Sequence, residues 1–152
     1  MHQALVEFGS LSAESTLQNV VAAVLYFAVG VVVLGVGFVV VDLLTPGKLR
    51  RLVFVEYRPN AVAVASAMYA ALALVVVSSI LASADELAQG LFDALVYGLI
   101  GVALQGAALA VLEAVVPGRF RDLVEAERLH PAAIATAVIM LAVGGVNAAA
   151  LS

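Results

Sequence analysis

The amino-acid sequence predicts an all-α integral membrane protein whose four transmembrane helices form two parallel two-helix repeats. Three observations support this prediction: the composition, four long runs without charged residues, and a second half that resembles the first. The 152-residue chain is 64% apolar and 12% charged, with a mean hydropathy of +1.15. Soluble domains are typically about 45–50% apolar and about 25% charged, so a buried core alone does not account for this composition.

Each of the four runs is long enough to cross a membrane once. They are Val20–Val41, Ala61–Ala84, Ala94–Leu112 and Pro131–Ser152, with 22, 24, 19 and 22 residues. A helix needs about 20 apolar residues to cross a hydrocarbon layer of about 30 Å. The runs are apolar on every side, which excludes the alternating strands of a membrane barrel. A single segment in lipid satisfies its own backbone as a helix.

The segment before the first run, residues 1–19, contains no Lys or Arg. It is predicted to be an outer tail or an interfacial segment, and its lack of basic residues argues against a cleavable signal peptide. The chain has no cysteine, which excludes disulfides and thiolate metal sites. The only histidines, His2 and His130, are predicted on opposite sides of the membrane. We therefore expect neither a metal site nor a cofactor.

All seven basic residues lie in two segments, one between the first two runs and one between the last two. Basic residues next to membrane helices are retained on the cytoplasmic side. Both long loops are therefore predicted in the cytoplasm, with both termini and the turn at Ser83–Gly90 outside. A second interpretation assigns contacts with anionic lipid headgroups to Lys48, Arg50, Arg51, Arg119 and Arg121.

An internal repeat relates the two halves of the chain. At an offset of 71 residues Gly30 matches Gly101, and after a one-residue deletion Ser66 matches Thr136 at an offset of 70. Each unit crosses the membrane twice, so the repeats are parallel, and we expect a pseudo-twofold axis along the membrane normal to relate them. The predicted units are residues 20–84 and residues 91–152.

The two loops contain similar mixtures of apolar and charged residues, KLRRLVFVEY from Lys48 and RFRDLVEAERL from Arg119. This pattern suits short segments lying in the membrane interface, and the second is predicted to be a short helix. Pro131 is expected in the first turn of the fourth membrane helix, where its missing N–H does little harm.

The chain resembles the YjfL-like bacterial membrane proteins, catalogued as domain of unknown function 350. The resemblance covers about residues 20–150 and is clearest at Asp42, Thr45-Pro46 and Asn60-Ala61. The second unit departs from this pattern, because His130-Pro131 stands where Asn60-Ala61 would be. The resemblance implies a multi-pass protein of the bacterial inner (plasma) membrane and implies no particular activity.

Four polar residues are candidates for an intramembrane or interfacial site: Asp42, Asn60, Gln105 and Glu113. The two carboxylates lie at helix C-termini, where the dipole opposes them. Each is expected to form an ion pair with a loop arginine such as Arg50 or Arg121, or to bind a proton or cation. Gln105, near the middle of the third span, is expected to hydrogen-bond to another helix or to line a pore.

Small residues in the spans predict close helix packing. They are Gly30, Gly35, Gly101, Gly106, Ser66 and Thr136. Asn147 lies near the outer end of the fourth span and is expected to contact the interface or solvent.

The sequence contains no nucleophile–base pair, phosphate loop or metal-ligand spacing, so we expect no enzymatic activity. A nucleic-acid partner is not expected, since the modest basic charge already serves topology. The favoured function is a structural or interaction subunit that forms a homo-oligomer or holds a membrane or cytoplasmic protein partner. An oligomeric channel or transporter for small ions or protons is the alternative, and a lipid-handling accessory protein is a weaker one.

Overall fold

The computed structural model describes residues 13–45, 48–115 and 120–152, which contain six helices and no strand. The helices are α1 (Ala13–Leu44), α2 (Leu49–Phe54), α3 (Pro59–Leu81), α4 (Leu87–Val115), α5 (Phe120–Glu125) and α6 (Pro131–Leu151). Four of them, α1, α3, α4 and α6, are long and apolar enough to cross a membrane. The predicted all-α fold with four membrane helices is confirmed.

Three membrane helices begin before their charge-free runs, α1 and α4 by seven residues and α3 by two. Helix α1 starts at Ala13, so residues 13–19 are its first turns, and α4 starts at Leu87. Polar residues are tolerated at a helix end because side chains one turn apart can bond to each other. In α4, for example, Gln89 Nε2 donates to Asp93 Oδ1 at 2.7 Å.

The loops follow the local signals in the sequence. Pro59 and Pro131 each occupy the first position of a membrane helix, as predicted for Pro131. The side chain of His130 caps α6, since its Nδ1 accepts the Ala132 N–H at 3.2 Å. Each loop contains a short helix, α2 or α5, which buries two apolar residues against the helix core: Leu49 and Leu52 in α2, Phe120 and Val124 in α5.

Helices α3 and α4 form the antiparallel centre of the structure, and α1 and α6 lie on opposite sides of this pair. Helix α1 runs parallel to α4, with Val33 against Gly98 and Val40 against Gly106. Helix α6 runs parallel to α3 in the same way. All described basic side chains therefore lie at one end of the bundle, formed by residues 48–58 and 120–130, which we call the basic end.

The predicted pseudo-twofold axis is wrong for the packing within the chain. Such an axis would bury the same face of equivalent helices. Instead, no buried residue of α3 has a buried counterpart in α6 at the offset of 70 residues, and the reverse comparison gives the same result. Ala71 and Val75 of α3, for example, are buried, whereas Leu141 and Gly145 of α6 are not.

The two units instead lie side by side in the same orientation. We call residues 20–84 unit 1 and residues 91–152 unit 2. Equivalent helices are parallel neighbours. Helices α3 and α6 bury opposite faces, and α1 and α4 do so except at two equivalent pairs that are buried in both, Gly30 with Gly101 and Val41 with Leu112. A lateral displacement of one unit produces this arrangement, whereas a rotation about a central axis does not. The sequence offset identifies the equivalent residues and the parallel orientation of the two units. It does not indicate whether a displacement or a rotation relates the units.

Candidate functional site

The polar residues that the sequence singles out lie in separate places. Asp42 is at the C-terminal end of α1, where its Oδ1 accepts the backbone N–H of Arg50 at 2.8 Å. This bond fixes the start of α2 against α1. The expected ion pair with the Arg50 guanidinium is not formed among the described residues. The Asp42 carboxylate accepts the main-chain N–H of Arg50 instead.

Asn60 joins the two units at the basic end. It is fully buried at the start of α3. Its Nδ2 donates to the carbonyl oxygens of Ala126 at 3.3 Å and Arg128 at 2.9 Å, and its Oδ1 accepts the N–H of His130 at 2.7 Å. One amide thus forms hydrogen bonds with three backbone groups of the loop that leads into α6. A buried polar side chain requires such partners because it has no contact with water.

Two amides join α4 to α6 inside the bundle. Gln105 is 0% exposed, and its Nε2 donates to the Met140 carbonyl at 3.1 Å. Asn147 Nδ2 donates to the Gly101 carbonyl at 2.8 Å. Asn147 is buried, so the expected contact with interface or solvent is wrong. The signal for the correct contact is present in the sequence, because an amide in an apolar span usually bonds to another helix.

Replacing Gln105 by leucine is expected to destabilise the protein only slightly, by about 0.6 and at most ~2 kcal/mol, the usual range for a hydrogen bond between membrane helices. The Oε1 atom of Gln105 has no partner among the described residues, so an apolar side chain also removes an unsatisfied acceptor. The thermal midpoint of the purified protein in mild detergent checks this. A loss above ~3 kcal/mol would contradict a role limited to joining α4 and α6.

Glu113 lies near the C-terminal end of α4 and is partly buried. Arg121, its expected partner, instead bonds to Glu125 one turn along α5, with Nε to Oε1 at 2.8 Å. That hydrogen bond raises the pKa of Arg121. The Oε1 atom of Glu113 has no hydrogen-bond partner in the described part of the chain. In the same described ranges, no bond joins any two of the four polar candidates, so they do not form one site.

The small residues contribute unequally to helix packing. A Cβ at Gly101 would overlap Val75 of α3, and one at Gly30 would lie 3.3 Å from Val76. A Cβ at Gly106 would lie 3.1 Å from the Leu44 side chain of α1. A Cβ at its counterpart Gly35 would meet no atom of another helix within 4 Å, so the predicted close contact is absent there.

The repeat pair Ser66 and Thr136 shows the same inequality. Thr136 is buried in α6, whereas Ser66 lies on the exposed face of α3, against the packing prediction. Both inequalities follow from the lateral arrangement of the units, since it buries opposite faces of equivalent helices.

The described loop cations have different surroundings. Lys48, Arg50 and Arg51 line a surface cavity beside Asp42. Arg58 bridges the two loops through Glu127 at 3.2 Å. Arg119, the remaining lipid-contact candidate of the sequence, lies outside the described residues. No group of three or more His, Asp or Glu residues in the described part of the chain could hold a metal ion.

Comparison with known proteins gives a consistent family. The model of the Domain of Unknown Function (DUF350) family matches residues 15–151. The chain is 60% identical over its full 152 residues, and over the full length of the relative, to the UPF0719 transmembrane protein Mb2631 of Mycobacterium bovis. It has the same identity and coverage with the UPF0719 transmembrane protein MT2674.1 of Mycobacterium tuberculosis. A UPF0719 transmembrane protein of Mycolicibacterium paratuberculosis is 54% identical over 147 residues, 97% of each chain. No solved structure matches the chain.

Proposed function

The chain belongs to the DUF350 family of transmembrane proteins, and from this premise we propose that it is a non-enzymatic assembly protein that associates head to tail with further copies of itself. In this proposal it is a multi-pass protein of the inner membrane. The basic end faces the cytoplasm and both termini lie outside, because the basic residues concentrate at that end. The observation that carries the proposal is the burial of opposite faces by the two units.

The contacts between the units predict the contacts between neighbouring chains. Within the chain, Ala71 of α3 meets Gly144 of α6. Their counterparts at the offset of 70 residues are Leu141 and Leu74, and both are exposed. Repeating the displacement that relates the units would bring Leu141 of one chain to Leu74 of the next.

The same relation holds between α1 and α4. Val33 meets Gly98 within the chain, and the counterparts at the offset of 71 residues are Leu104 and Phe27. Leu104 is 51% exposed and Phe27 is 72% exposed. Unit 2 therefore presents a face equivalent to the one that unit 1 buries, and unit 1 presents the complementary face. Contacts of this heterologous kind form rings when the rotation between copies closes, and open rows when it does not.

Association between chains should be weaker than packing within the chain. Lipid provides no hydrophobic driving force, so membrane helices associate through close packing and hydrogen bonds. The hydrogen bonds that join the two units include those of the Asn60 amide to the loop before α6, and the counterpart of Asn60 at the offset of 70 residues is His130. The contact between chains therefore lacks this amide and its hydrogen bonds and depends mainly on packing.

Disulfide crosslinking tests the proposal, since the natural chain has no cysteine. A chain with Leu74→Cys and a chain with Leu141→Cys would be co-expressed in one membrane and oxidised. We expect crosslinked dimers from the mixture and none above background from either variant alone, because a disulfide requires Cα atoms within about 7 Å.

A matched control replaces Leu74→Cys by Val32→Cys. Gly30 contacts Val76 and Gly37 contacts Leu72, so Val32 lies at the membrane depth of Leu74. Val32 and its counterpart Ala103 are both exposed, so the displacement predicts no contact for this position. Equal crosslinking with the control, or crosslinking of Leu74→Cys alone, would contradict head-to-tail assembly. The latter result would indicate a two-fold dimer.

The ion or proton channel receives less support from the geometry. Gln105 is hydrogen-bonded to Met140 inside the bundle. Asp42 and Glu113 lie at the ends of their helices and not near Gln105. Intramembrane sites for ions usually retain ionisable groups within the span. An ion flux in proteoliposomes that Gln105→Leu abolished would favour the channel instead.

A further inference from the structure

The basic end of unit 1 contains a surface cavity between α1, α2 and α3 with two chemically different parts. The part that we call polar has a volume of about 430 Å³ and includes Lys48, Arg50 and Arg51 beside the apolar Val55. The apolar part has a volume of about 560 Å³ and includes Phe38, Val39, Leu43 and Tyr69. Asp42, Arg50 and Phe54 line both parts, so they form one continuous surface, which we call the α1–α2 cavity.

The polar part holds cations that are available to a ligand. Within the described residues, neither Lys48 nor Arg50 forms an ion pair, and both are exposed. Arg51 bonds to Glu56 at 2.8 Å but keeps 68% of its side chain exposed. The one carboxylate in the described lining, Asp42, accepts the backbone N–H of Arg50. Its bond holds α2 in place and leaves the Arg50 guanidinium free.

The apolar part faces the side of α1 that a bilayer would cover. Leu43 is 78% exposed and Phe54 is 62% exposed. The rings of Phe38 and Tyr69 pack with centroids 4.4 Å apart and form one wall. An apolar surface directly below exposed cations matches a molecule with an anionic head and a hydrocarbon chain.

We infer that the α1–α2 cavity binds an anionic phospholipid, with its phosphate at Lys48 and Arg50 and an acyl chain along Leu43 and Phe54. Lys and Arg are the usual partners of phosphate oxygens, and basic residues at the membrane surface attract anionic headgroups. The phosphate chemistry alone would also suit a soluble phosphate. A soluble phosphate would leave the apolar part of the cavity without a partner. The apolar part therefore favours a phospholipid as the ligand.

Unit 2 cannot form the same site, so the inference gives one lipid per chain. At the offset of 71 residues, Arg51 corresponds to Asp122 and Phe54 to Glu125. These changes replace a cation and an apolar wall by two carboxylates. Head-to-tail assembly would cover one wall of this site. Phe38 corresponds to Leu109, which is buried, whereas Leu43 corresponds to Ala114, which is exposed in unit 2, so the displacement leaves Leu43 open.

Native mass spectrometry of the detergent-purified protein tests the site. The probes are phosphatidylglycerol, phosphatidylcholine and inorganic phosphate, each added separately. We expect one phosphatidylglycerol bound in preference to phosphatidylcholine, and no retention of inorganic phosphate. The double variant Lys48→Gln/Arg50→Gln is expected to lower the phosphatidylglycerol affinity roughly tenfold or more. Both side chains are exposed, so the fold is retained.

The matched control is Arg121→Gln, the counterpart of Arg50 in unit 2, which should keep the wild-type affinity. A second variant, Phe54→Glu, introduces the residue that unit 2 has at this position. It is expected to lower the affinity for phosphatidylglycerol without removing a cation. An equal loss in the Arg121→Gln control would overturn the inference, because it would indicate unspecific attraction. Retention of inorganic phosphate with no preference for either lipid would also overturn it, in favour of a soluble ligand.

Discussion

Replacing Gly144 by leucine is expected to separate α6 from α3 and to destabilise the protein more than the loss of an interhelical hydrogen bond does. A Cβ at this position would overlap the side chain of Ala71 and lie 2.8 Å from its Cα atom. The obstacle is main chain, which no rotamer change can move. Overpacking a tight contact typically costs about 1–3 kcal/mol, and more when the backbone must shift.

The adjacent glycine provides the control. Gly145 has no heavy atom within 4 Å of where a Cβ would lie, so Gly145→Leu should leave stability unchanged or slightly raised. The measurement is the temperature at which half of the protein in mild detergent leaves its monodisperse size-exclusion peak. We expect a fall of roughly 6–12 °C for Gly144→Leu. Equal midpoints for the two variants would show that α3 and α6 do not meet at this contact.

Replacing Asn60 by alanine is expected to release the loop that leads into α6. The substitution removes the hydrogen bonds of the amide and leaves the N–H of His130 and the carbonyl oxygen of Arg128 without their partner. A fully buried group left unsatisfied costs about 1–3 kcal/mol, and because these bonds are only partly buried we expect a loss near the lower end of that range. Asn60→Asp should not rescue the contact, because a carboxylate accepts from His130 but cannot donate to a carbonyl oxygen.

Hydrogen exchange of the peptide that covers residues 126–132 gives a direct readout. We expect faster exchange of the His130 amide in Asn60→Ala, and a smaller change in Asn60→Asp, whose carboxylate still accepts from this amide. The control is His130→Ala, the counterpart position in unit 2, which removes only the cap on Ala132 and keeps the bond from the backbone N–H of position 130 to Asn60. Protection of the His130 amide equal to wild type in Asn60→Ala would rule out this role of Asn60.

Most of the fold can be predicted because the features that define it are local in the sequence. Charge-free runs of sufficient length define the spans, and the prolines at positions 59 and 131 mark the first turns of α3 and α6. The lateral arrangement of the units cannot be predicted in this way. The spans are apolar on every side, so no polar face indicates which surface of a helix is buried. The choice depends on short-range shape, such as the fit of Ala71 to Gly144.

The sequence predicts which polar residues are important, but it does not predict most of their hydrogen-bond and ion-pair partners. The sequence predicts a bond from Gln105 to another helix, and this bond forms. The partners of Asn60 are backbone groups 66 to 70 residues away, which no local pattern identifies. For Arg121 the sequence does offer a better partner than Glu113, since Glu125 is four residues along the same helix.

The pairing of α3 with α6 has a consequence for biosynthesis. Helix α3 enters the membrane with its inner face uncovered, and α6, which covers this face, leaves the ribosome only after α4 and α5. The incomplete chain therefore exposes the face of α3 that packs against α6 while the segment from Leu81 to Pro131 is synthesised. On adjacent ribosomes of one messenger, α6 of a finished chain can reach that surface first. Neighbouring chains would then exchange their α6 helices, and co-translational assembly would give interlocked products that mixing of separately folded chains does not.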